Sequence, residues 1–112
     1  MALIYKILRA EEWAELEAKD ETQGAPIDVT DGYIHFSTAE TVAETASKYF
    51  EGIEGLKLLA YEDSAFGEAL VYEPSRGGLL FPHLYGPLPL APILWVKDLP
   101  IQNGSHVFPE GL

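Results

Sequence analysis

Residues 32–50 read GYIHFSTAETVAETASKYF, and a change of period inside this stretch decides the fold class. Tyr33-Ile-His-Phe36 is rich in β-formers and follows a turn residue, Gly32, which predicts a short strand. After Ser37 the apolar positions recur at three- and four-residue spacing. Val42, Ala43, Ala46, Tyr49 and Phe50 fall on one face, so a helix is predicted over 39–50. Ser37 stands three residues before Glu40 and reads as a capping box that opens this helix. The free N–H groups of the helix start would then lie beside His35.

Upstream, Gly24, Pro26, Asp28, Thr30, Asp31 and Gly32 crowd residues 20–32 with turn formers and predict a connecting loop. Before it, AEEWAELEAK at 10–19 has strong helix formers and acids in its first turn, with Trp13 and Leu16 on the core side. Leu3-Ile-Tyr-Lys-Ile-Leu8 predicts a strand. Downstream, Gly52 and Gly55 end the second helix, and strands are predicted over 56–61, 70–73 and 92–97. The Pro-rich segment between 74 and 91 and the tail from Leu99 read as irregular. The later strands have no helical crossovers between them. The expected fold is therefore α+β, a single domain over 1–112 in which a curved, mainly antiparallel sheet carries two principal helices.

The chain has 112 residues, 47% of them apolar, enough for one core and too few for two. Seven Lys and Arg against eighteen Asp and Glu give a net charge of −11, whose field repels nucleic-acid backbones and anionic lipid. The acids from Glu11 to Glu21 read as a solvated helix face. Without cysteine there is no disulfide and no thiolate chemistry. No run of eighteen apolar residues occurs, so a cytoplasmic protein without signal or membrane span is expected, as a monomer or small homo-oligomer.

Two segments carry candidate chemistry. His35 sits at a strand end, either as a proton-exchanging group or as a core histidine with one hydrogen-bond partner; Ser37 and Thr38 serve either a ligand or the helix cap. Glu73, Arg76, His83 and Tyr85 fall within thirteen residues of a loop punctuated by Pro and Gly. Glu73 suits a base, Arg76 a bidentate anion contact and His83 a proton carrier. The plainer alternative pairs Glu73 with Arg76 and ties His83 to the loop backbone. His-x-His and His-x-x-x-His are both missing, so no metal site is expected.

Ile4-Tyr-Lys-Ile7, Trp13, Asp31-Gly-Tyr-Ile-His-Phe-Ser-Thr38, Glu73 and Phe81-Pro-His-Leu-Tyr-Gly86 together resemble the domain-of-unknown-function 952 family of bacterial and plant proteins. The resemblance covers nearly the whole chain and implies an ADP-ribosyltransferase-like fold, a split antiparallel sheet that cradles NAD. Glu73 would then be the catalytic acid, and Lys6 would stand where that fold's first strand offers His or Arg to NAD. Two functions fit these residues. One is a pocket that binds a small anionic or nucleotide-like molecule without turnover. The other is an ADP-ribosyl- or phosphoryl-transfer enzyme using NAD or an ADP-ribose compound, with Glu73, His35 and His83 catalytic and Ser37, Thr38, Arg76, Tyr85 and Lys6 contacting the ligand.

Overall fold

A computed structural model describes residues 2–112. In chain order the elements are β1 (Leu3–Leu8), α1 (Ala10–Lys19), β2 (Glu21–Thr22), α2 (Pro26–Asp31), β3 (Ile34–His35), α3 (Val42–Tyr49) and β4 (Lys57–Glu62). They continue with β5 (Leu70–Pro74), β6 (Leu80–Leu84), β7 (Leu88–Pro89), β8 (Trp95–Asp98), β9 (Ile101–Gln102) and β10 (Ser105–His106), with short 3-10 turns at Asp63–Ala69 and Arg76–Gly78.

β4 pairs antiparallel with β1 on one side and β8 on the other. Successive strand residues point to opposite faces, and here both faces are covered. Ile4, Leu8, Leu59 and Tyr61 join Leu16 of α1 in one apolar cluster. Tyr5, Ile7, Leu58 and Ala60 join Val42 and Ala46 of α3 in the other. A strand buried on both sides has no polar face to alternate with, which is why β1 and β4 read as nearly unbroken apolar runs. Lys6 is the exception on the α1 side, and its partner fixes the site described below.

The second sheet places β6 between β3 and β5, all antiparallel. It meets the first sheet through one bridge: the Tyr5 N–H donates to the Ser37 carbonyl and the Ser37 N–H to the Tyr5 carbonyl, both at 2.8 Å. Ile34, Phe36 and Leu84 extend the α1-side cluster across this junction. The α+β class and the antiparallel strands are as expected, with the larger sheets being two of three strands each.

Several local expectations are corrected. The predicted loop at 20–32 contains β2 and the six-residue α2, because each turn former sits at a helix end. Pro26 opens α2, where no N–H is needed; Asp28 accepts the Ala25 N–H at 2.8 Å; Gly32 closes it at φ 84°. The second helix begins at Val42 and not at Ala39, since bridging to Tyr5 keeps Ser37 extended. Its first turn is organised by Thr38, whose carbonyl accepts the Val42 N–H at 3.0 Å, and by Thr41, whose Oγ1 accepts the Thr38 N–H at 3.0 Å. The segment read as irregular from 74 to 91 holds β6 and β7, and the tail holds the β9–β10 hairpin. The strand expected at 92–97 starts three residues later and ends one residue later, at Trp95–Asp98. No helix among the described residues is long and apolar enough to cross a membrane.

Candidate functional site

Antiparallel pairing of β3 with β6 sets His35 directly opposite His83. Their ring centroids are 5.5 Å apart and nearly perpendicular. Tyr33 lies against both, 4.6 Å from the His35 ring and 4.2 Å from the His83 ring, with the Tyr85 ring 5.3 Å away. This aromatic group opens on a cleft of about 440 Å³ that runs between the sheet junction, α2 and the end of α3. Tyr33, Phe36, Tyr49, Phe50 and Phe81 form much of its wall, and Asp31, His35, Ser37, Ser75 and His83 supply polar groups.

Asp28 organises the His35 side. Its side chain is fully buried and its two oxygens accept four hydrogen bonds: from Lys6 Nζ at 2.9 Å, the Ala25 N–H at 2.8 Å, the His35 N–H at 2.9 Å and His35 Nδ1 at 2.6 Å. Burial by itself would raise the Asp28 carboxyl; the His35 hydrogen bond and the Lys6 charge outweigh it and hold the group at about 2. Burial pushes the Lys6 ammonium below its ordinary value while Asp28 opposes that change. Lys6 Nζ also donates to the His35 carbonyl at 2.9 Å. The second His35 nitrogen, Nε2, lies 3.0 Å from Asp31 Oδ2. Each ring nitrogen of His35 thus faces a carboxylate oxygen, Nδ1 that of Asp28 and Nε2 that of Asp31.

The His83 side differs. His83 Nδ1 donates to Glu73 Oε1 at 2.8 Å, and the Tyr85 hydroxyl donates to the same oxygen at 2.7 Å. The Tyr85 bond first, then the His83 bond, hold the Glu73 carboxyl below its ordinary value; Glu73 in turn raises the Tyr85 phenol. With Nδ1 fixed as donor, Nε2 presents a lone pair. His83 is 3% exposed, yet its Nε2 has no hydrogen-bond partner among the described residues. His83 is itself one of the residues that line the cleft.

The residues singled out from sequence fall into three groups. His35, His83, Ser37 and Lys6 line the cleft. Lys6 does so with its charge matched by Asp28, and the Ser37 hydroxyl donates to Thr45 Oγ1 at 3.1 Å. Glu73 and Tyr85 stand behind His83 and orient it, while Thr38 belongs to the turn before α3. The Arg76 side chain lies outside the described residues. Sequence reasoning passed over Asp28, Asp31 and Tyr33. Asp28 was detectable as the acid three residues after Ala25 and two after Pro26, an N-terminal helix signature, and Tyr33 as the residue two before His35 on the same strand face. Among the described residues no three His, Asp or Glu side chains are grouped to hold a metal ion.

The family described as "Protein of unknown function (DUF952)" matches residues 7–96. The crystal structure of protein CC0527 from Caulobacter crescentus is similar at 43% identity and a TM-score of 0.91, covering 95% of this chain and 94% of that one. Its solution NMR structure gives the same identity and a TM-score of 0.83, with 95% and 91% covered. No curated protein matches the chain. The expected ADP-ribosyltransferase-like relationship finds no support in these similarities. A match over most of the length, together with the His35 and His83 segments that first suggested it, places this chain in the DUF952 family.

Proposed function

We propose that the cleft binds a small planar molecule of nucleoside type, with the ring held between aromatic walls and a hydrogen-bond donor of the ligand on His83 Nε2. One observation carries this reading: a buried, pre-oriented imidazole, whose second nitrogen has no partner among the described residues, lines a 440 Å³ cleft with five aromatic side chains in its lining. Small-molecule sites have this character, concave and mainly apolar with a few oriented polar groups, in the range of about 300–1,000 Å³. His35 and Ser37 line the same space, and Glu73 with Tyr85 keeps the His83 ring in place. Among the described residues, the cations on this wall favour an uncharged ring over a free anion, because Lys6 is matched by Asp28 and Arg9 by Glu12 at 2.7 Å.

Adenosine, NAD and ADP-ribose, each titrated to millimolar concentration against the His ring resonances, test the proposal. Adenosine is expected to move the His83 signals and to leave His106, which does not line the cleft, in place. A response to NAD and ADP-ribose but not to adenosine would favour recognition of the phosphates. Unchanged His83 signals with all three would overturn the proposal.

A further inference from the structure

We infer that His83 takes a proton from the bound molecule, and that the cleft accordingly selects ring compounds carrying a weakly acidic hydroxyl. This rests on the binding reading above and goes beyond it by assigning unequal roles to the two facing histidines. Both ring nitrogens of His35 already face carboxylates, those of Asp28 and Asp31, which leaves it no ring nitrogen free for a ligand. Of the pair, only His83 has a ring nitrogen without a hydrogen-bond partner among the described residues, and His83 lines the cleft.

The groups behind His83 suit proton uptake. In the step, the ligand O–H bond breaks, an Nε2–H bond forms, and the electron pair stays on the ligand oxygen. The new imidazolium keeps its Nδ1–H on Glu73 Oε1, so its charge faces a carboxylate across 2.8 Å. Tyr85 donates to that same oxygen at 2.7 Å and fixes where the carboxylate sits. The ligand anion stays beside the imidazolium, within aromatic walls that weaken competition from water. Proton and charge balance without any further reactant. Tyr33, packed on both histidine rings, would stack beside the ligand ring, and the neighbouring charges of Asp31 and Glu73 make its own phenol a poor source of the proton: burial first and these charges second raise it.

The probe is 4-nitrophenol, whose phenolate is read by visible absorbance, mixed with excess full-length protein at a fixed pH below its ionisation. A half-unit change in apparent acidity alters the ionised-to-neutral ratio about threefold, and a gain of at least that size is expected with the unsubstituted protein. His83→Gln is expected to abolish the gain. Glu73→Gln, a change at a partly exposed site, is expected to reduce it while thermal melting confirms an intact fold. The net charge of −11 repels phenolate, so the general field of the protein would work against the gain. If the His83 resonances respond to 4-nitrophenol but the phenolate fraction stays constant, or rises equally in His83→Gln, proton uptake is overturned and binding stands. If neither 4-nitrophenol nor adenosine moves His83, both readings fall together.

Discussion

Replacing Asp28 with alanine removes the carboxylate that joins β1, α2 and β3. Four donors lose their acceptor: Lys6 Nζ, the Ala25 and His35 backbone N–H groups, and His35 Nδ1. Lys6 is 5% exposed and would keep only the His35 carbonyl at 2.9 Å. Breaking a buried ion pair by removing one partner costs about 3–5 kcal/mol, and loss of the carboxylate at the start of α2 adds about 1 kcal/mol. A total of about 5 kcal/mol is a large part of the 5–15 kcal/mol typical of a domain. For a chain of this length it corresponds to a melting temperature about 20 °C lower. Lys6→Met in the same background removes the stranded charge and is expected to restore about 3 kcal/mol. Urea unfolding followed by tryptophan fluorescence measures all three proteins. The reasoning is refuted if Asp28→Ala costs less than about 1 kcal/mol, or if Lys6→Met brings no recovery in its presence.

Three further outcomes follow from the same geometry. Asp28 is held at about 2 in the folded chain against an ordinary 3.8, so its contribution is present above about pH 4 and is lost as the pH falls towards 2. The gap amounts to about 2 kcal/mol, and unfolding midpoints measured over that interval should fall more steeply for the unsubstituted protein than for Asp28→Asn. Gly24→Ala is expected to destabilise by about 2 kcal/mol or more by thermal denaturation, because Gly24 has φ +90° and an added Cβ would lie 2.3 Å from Asp28 Oδ2 and 2.8 Å from Ile34 Cδ1. A neutral effect there would contradict the tight Asp28 pocket. Diethylpyrocarbonate, which needs an imidazole lone pair, should modify His83 before His35 even though their side chains are 4% and 29% exposed. Peptide mass mapping that finds His35 reacting first would contradict the pairing of both His35 nitrogens with carboxylates.

Long apolar runs and helix-forming stretches were legible. β1 and α1 lie where their residues place them, because burial of both sheet faces and of the Leu16 face leaves an unmistakable pattern. Short elements made of terminus residues were not. α2 is concealed because Pro26, Asp28 and Gly32 are turn formers in isolation and helix-end residues in context. β6 is concealed by Pro82, which sits in a central strand yet contributes its carbonyl to the Phe36 N–H at 2.9 Å. The β9–β10 hairpin was marked by Asn103-Gly104, whose φ values of 54° and 83° suit a two-residue hairpin turn, but two residues per strand leave no alternation to read. At the site, the two histidine segments could be named from sequence, and their alignment came only with the β3–β6 register. Asp28 went unrecognised for a different reason: its function depends on Lys6, twenty-two positions earlier, and no local pattern reveals that pairing.

The most direct measurement is the nitrogen NMR spectrum of the three histidines at mildly alkaline pH, with and without adenosine. The geometry predicts His83 as the Nδ1–H tautomer, held by Glu73, with an unprotonated Nε2 whose resonance moves when adenosine enters the cleft. An Nε2–H tautomer for His83, or an Nε2 resonance indifferent to adenosine at millimolar concentration, would contradict it.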